Sequence, residues 1–190
     1  MKNGLNKVLL VVSKTMEIIH WVGAGIGALV AIIAGIDKSF ITNDLLADGK
    51  TFTSYGLEVN AITQTGEINF FAVTMIFVSM IFTMSLMALV FRNLYLILKT
   101  ITGKNKHAES TSPFQKDIVR RVRELGIFTM AIPVIGIIFQ IIINTVSVIN
   151  GMSVESFVSV DGFIIGLICI CLSQIFSYGT KLEEEVDGLV

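Results

Sequence analysis

Residues Leu125 to Ile149 read LGIFTMAIPVIGIIFQIIINTVSVI, a run without one charged side chain. A helix needs about 20 predominantly apolar residues to cross the hydrocarbon core of a bilayer, and this run exceeds that length. Working outward, three more runs qualify: Ile18 to Ile36, Ile68 to Leu98 and Phe163 to Tyr178, the last being the shortest. In lipid every backbone N–H and C=O must be satisfied internally, which leaves helices or closed barrels, and these runs lack the alternation of barrel strands. The expected fold is therefore all-α: an integral membrane four-helix bundle forming one domain over residues 1–190, with an outer loop at 37–67 and a cytoplasmic loop at 99–124.

Composition agrees. The chain is 53% hydrophobic and 15% charged, against roughly 25% charged in soluble domains, and its mean hydropathy is +0.78. An ordinary soluble domain is excluded. With 14 basic and 15 acidic residues, net charge −1, no global field attracts nucleic acid, so direct nucleic-acid binding is not expected. Lys2, Lys7 and Lys14 precede the first run, but it is too long for a cleaved signal peptide and has no small-residue cleavage site. It reads as a retained anchor.

Orientation follows from the Lys and Arg census. Basic residues gather at the N-terminus and at Arg92, Lys99, Lys104, Lys106, Lys116, Arg120, Arg121 and Arg123, with Lys181 in the tail. The first loop has Lys38 and Lys50 against Asp37, Asp44, Asp48, Glu58 and Glu67, and the third loop has no basic residue. Both termini are expected to be cytoplasmic, in a cell (inner) membrane.

Within the spans, polar and small residues mark the candidate sites. Gln140, Asn144 and Ser147 share a stripe with Pro133 and Gly136. Lipid offers the two amides no partner, so they bond between helices or line a small polar cavity. Pro133 should kink this span. Glu17 and His20, three apart, form a candidate ionisable pair: a hydrogen-bonded pair near the headgroups, or a proton-sensitive or ligand-binding group. Such a Glu-x-x-His pair is half of a di-iron site, but the second copy is missing, so no metal or other cofactor is expected. Gly23, Gly27, Ala31 and Gly35 recur every fourth residue as a packing ribbon, for a contact inside the bundle or a homo-oligomer seam. Met80, Met84 and Met87 form a stripe suited to filling irregular gaps. Cys169 and Cys171 point about 200° apart on a helix, so they neither chelate one metal nor bridge easily.

Between the spans, Thr51 to Ile62 reads as a candidate hairpin in an acidic outer cap. Ser112, Pro113 and Gln115 form a helix-start signal, with Ser112 as N-cap. Phe114, Ile118, Val122 and Leu125 then line one face and Lys116, Arg120 and Arg123 the other, as in an amphipathic helix on the membrane surface hinged at Gly126. That basic face touches anionic lipid or presents a cytoplasmic docking site, and the acidic tail from Glu183 to Asp187 can lie against it.

These landmarks together resemble a bacterial membrane family labelled domain of unknown function, number twenty-nine seventy-five. The resemblance rests on four spans, a long first outer loop, Ser112-Pro113-Phe114 followed by Arg120, Arg123, Leu125 and Gly126, and the ending Ile175-Phe176-Ser177-Tyr178-Gly179-Thr180-Lys181-Leu182-Glu183-Glu184-Glu185. It implies no catalytic residues, and it implies pairing with a small helix-turn-helix regulator of the Cro/cI type. The leading expectation is a sensory or regulatory membrane protein that tethers such a regulator. The alternative is a small transporter or immunity protein handling a peptide or amphiphile through the Gln140 and Asn144 stripe. An enzyme is not expected, because neither a paired base and nucleophile nor a metal cluster is spaced for it.

Overall fold

The computed structural model describes residues 2–36, 51–62, 66, 68–103, 114–152 and 154–187. Four helices carry the architecture: α1 (Lys2–Ile36), α2 (Phe70–Ile101), α3 (Lys116–Ile149) and α4 (Asp161–Asp187). All four are long and apolar enough to cross a membrane, and the chain is a multi-pass membrane protein of the four-helix-bundle class. Among the described residues three short strands accompany them: β1 (Thr51–Ser54), β2 (Leu57–Asn60) and β3 (Ser156–Val158). The Ser112-Pro113 helix start and the outer-loop acids Asp37, Asp44, Asp48 and Glu67 lie outside the described residues.

The chain comprises two compact units, each built from parts of several helices. One compact unit comprises residues 1–19, 86–130 and 163–190, the other 20–85 and 131–162; they are called the four-helix unit and the sheet unit.

In the four-helix unit the expected surface helix is absent as a separate element. Residues from Lys116 onward are the first turns of α3 itself, continuous with the span. Ion pairs one turn apart support those turns: Arg121 to Asp117 at 2.8 Å, Arg120 to Asp117 at 2.9 Å and Arg120 to Glu124 at 3.7 Å. Gly126 is not a hinge. A Cβ built there would stand 2.7 Å from the Gly166 carbonyl oxygen, so the two glycines let α3 and α4 touch backbone to backbone. Further along, the Phe114 ring occupies the notch at Gly179 and packs on Phe176. The acidic tail is helical as part of α4, and Glu184 pairs with Lys116 at 2.9 Å.

In the sheet unit the hairpin forms and is extended by an unexpected third strand. The order is β1-β2-β3, all antiparallel. Tyr55 (φ 42°) and Gly56 (φ 86°) make a two-residue turn with both residues left-handed, the primed geometry whose twist suits a hairpin. Strand alternation then sorts the faces: Leu57 and Val59 are buried while Glu58 is exposed. The buried face packs on the helices. Leu57 and Val59 pack with Ala72 and Ile76 of α2 and Ile143 of α3, and Ala61 with Ala34 of α1 and Val73 of α2. Val158 of β3 seats against Gly136, whose Cβ would lie 3.2 Å from it.

The small-residue ribbon of α1 is corrected in its pitch. Ala24, Gly27 and Ala34 are buried and Ala31 half-buried, a three-four spacing, whereas Gly35 is exposed with no neighbour within 4 Å. An ideal helix has 3.6 residues per turn, so a strict four-residue repeat rotates off the contact line. The methionine stripe has found its notches. A Cβ built at Gly23 would lie 3.3 Å from Met84 Sδ, and one at Gly27 3.7 Å from Met80 Cγ and from the Phe77 carbonyl oxygen.

Candidate functional site

Most of the predicted polar residues converge on the sheet. Gln140 Nε2 donates to the Ser156 carbonyl at 2.8 Å, and Ser156 Oγ donates to Asn144 Oδ1 at 2.9 Å. One turn on, Ser147 Oγ accepts from Asn69 Nδ2 at 2.8 Å, and Asn69 Oδ1 accepts from the Ala72 N–H as the cap of α2. The stripe thus holds β3 and the start of α2 in place. Its amides face a strand, where interhelical bonding or a cavity had been expected. Leucine at both Gln140 and Asn144 is expected to destabilise the protein by about 1–3 kcal/mol and to speed amide exchange in β3, as read by hydrogen-exchange mass spectrometry.

The turn end of the hairpin reaches two polar side chains, His20 of α1 and Thr83 of α2. His20 Nε2 is hydrogen-bonded to the Tyr55 hydroxyl, with the two rings 5.7 Å apart. Ser54 Oγ and Thr83 Oγ1 are 3.1 Å apart and both buried, and Thr83 also donates to the Ser79 carbonyl. Ser79 Oγ is buried without a hydrogen-bond partner among the described residues. Partial burial pushes the Tyr55 phenol above its usual range. His20 lies sixteen positions before the end of α1 at Ile36, about 24 Å along the helix axis. The hairpin therefore runs down α1 and fastens at its turn.

Glu17 takes a different partner. Its carboxylate accepts from Lys14 Nζ at 2.9 Å, so the expected pair is served by partners on either side: Lys14 for Glu17, Tyr55 for His20. Tyr55, Ser54, Thr83 and Ser156 were not singled out from the sequence. Their partners lie 12 to 35 positions away, beyond any periodicity signal.

The basic face of α3 borders a groove in the four-helix unit. A cavity of about 420 Å³ is lined by Lys116, Val119, Arg120 and Arg123 from α3 and by Ser177, Thr180, Lys181 and Glu184 from α4. The three predicted docking residues are thus joined by Lys181. Lys116 is paired with Glu184, and Arg120 with Asp117 and Glu124. Arg123 is exposed and makes no ion pair among the described residues. The groove can bind an acidic surface by charge-assisted contacts in which arginine forks match carboxylates.

Among the described residues no group of three or more His, Cys, Asp or Glu is placed to hold a metal ion. Cys169 is half-buried and Cys171 exposed, and both are free thiols. No family model, curated protein or solved structure matches the chain.

Proposed function

We propose that this is a sensory or regulatory protein of a bacterial cell membrane, with both termini cytoplasmic, that holds a small helix-turn-helix regulator through the α3–α4 groove. The observation that carries the reading is the convergence of Lys116, Arg120, Arg123 and Lys181 on that groove. The Lys and Arg census supports the orientation, and the family resemblance supplies the kind of partner. A regulator seated there presents an acidic patch to the groove and leaves its own DNA-binding face free. The sheet unit is the sensing part: its hairpin is fastened to α1 and α2, and β3 to α3, so a ligand that displaces the strands changes contacts on three spans. The bonds made by Gln140, Asn144 and Ser147 favour this over transport, because those polar groups serve the strand and the α2 cap.

In-cell crosslinking followed by mild-detergent purification and mass spectrometry tests the proposal. A small DNA-binding protein is expected with the wild type, weakening at moderate salt. Charge reversal in R120E/R123E is expected to lower its recovery at least tenfold, since each lost charged contact at an interface removes about 1 kcal/mol or more. Unchanged recovery in a folded double variant would sink the docking site.

A further inference from the structure

The four-helix unit contains a second basic cavity that shares no residue with the α3–α4 groove. It has a volume of about 330 Å³ and is lined by Lys7, Leu10, Val11 and Lys14 of α1 and by Tyr95 and Lys99 of α2. Helical spacing builds it. Positions 7, 10, 11 and 14 recur at three and four residues and so share one side of α1, while Tyr95 and Lys99 are one turn apart on α2. Tyr95 organises the charges: Lys14 Nζ is 5.4 Å and Lys99 Nζ 5.9 Å from its ring centroid, within cation–π range.

Positive charge is in excess here. Lys14 is paired with Glu17, but among the described residues neither Lys7 nor Lys99 makes an ion pair. Three ammonium groups held around one cavity, with one carboxylate to offset them, favour an anion carrying one or two charges. Lysine serves such a site as a strongly hydrated point charge, the form in which it binds phosphate. The walls are apolar as well. Leu10 and Val11 line it, Leu10 buried and Val11 exposed, and beyond Val11 the exposed Leu5, Val8 and Val12 continue around α1 outside the cavity. A free inorganic anion gains nothing from such a rim, whereas an amphiphile places its acyl chains there.

We propose that this cavity between α1 and α2 binds the phosphate headgroup of an anionic phospholipid, with Lys7 and Lys99 as the principal phosphate contacts and Lys14 and Tyr95 framing them. Basic pockets between membrane helices are suited to such headgroups. The lysines hold the phosphate, and the aliphatic flank of α1 carries the chains. The site does not depend on the regulator reading.

The test is native mass spectrometry of the full chain after exposure to mixed phosphatidylglycerol and phosphatidylcholine micelles. The wild type is expected to retain phosphatidylglycerol preferentially. K7Q/K99Q is expected to lower that retention at least tenfold, K7R/K99R to restore most of it, and R92Q/K181Q, which removes two charges outside the lining, to leave it unchanged. Melting curves in detergent confirm that each variant is folded. Undiminished retention in K7Q/K99Q overturns the site. Equal loss in R92Q/K181Q also overturns it, because the attraction is then a general surface potential. Displacement by millimolar sodium phosphate with no preference between the two lipids overturns the lipid as source and assigns the cavity to a soluble phosphate.

Discussion

Valine at Gly166 is expected to destabilise the detergent-solubilised protein by about 3 kcal/mol or more, the upper range for overpacking a tight contact. Even the first added carbon meets an obstacle: a Cβ at Gly166 would lie 2.2 Å from Met130 Cγ, 2.7 Å from the Gly126 carbonyl oxygen and 3.0 Å from the Met130 nitrogen. Met130 can swing its side chain aside, but the backbone atoms move only if α3 and α4 separate. Such separation gives up packing along the seam, which in a bilayer has no hydrophobic drive between helices to replace it. Alanine at Gly166 should fall between wild type and valine. The matched control is Gly25→Val, since nothing lies within 4 Å of a Cβ at Gly25. Thermal melting followed by circular dichroism reads the difference, and equal midpoints for G166V and G25V would refute the backbone contact.

Truncating Leu57 is the second large effect. This side chain is fully buried among Val59, Ala72, Ile76 and Ile143, so Leu57→Ala is expected to cost about 2–5 kcal/mol through lost transfer energy and the cavity left behind. Leu57→Asn should cost about 1–3 kcal/mol more, because an amide buried there has no assured partner. Glu58→Ala, one position on and exposed, should stay within about 0.5 kcal/mol of wild type. The contrast between neighbours tests whether one face of the sheet packs on the helices. Limited proteolysis should cut L57A within the sheet faster than E58A. Similar cleavage of the two would show that the strands contribute little to the unit.

How much was legible depended on the range of the signal. The four spans follow from composition alone, because a run such as Leu125 to Ile149 has one stable outcome in lipid. The hairpin was visible as Thr51 to Ile62, and its turn is served by Gly56, which tolerates a left-handed backbone. The basic residues Lys116, Arg120 and Arg123 line one groove. Their setting was misread: a charged stretch followed by Gly126 looks like a surface helix and a hinge, yet the charges pair along the helix while the glycine admits α4. β3 was missed because Ser156 to Val158 is too short to show alternation, and its bonds come from Gln140 and Asn144 on another element.

The amino-acid sequence by itself determined the number of spans and the residues that must avoid lipid. Those properties depend on the chemistry of consecutive residues and on a period of 3.6. Only the tertiary structure decided which polar groups meet. It gave His20 to Tyr55, turned the Gln140 and Asn144 stripe toward a strand, and assembled Lys7, Lys14 and Lys99 around Tyr95. The physical reason is that a buried hydrogen bond requires a partner within about 3 Å, and which residue supplies it depends on how helices and strands distant in the chain pack together.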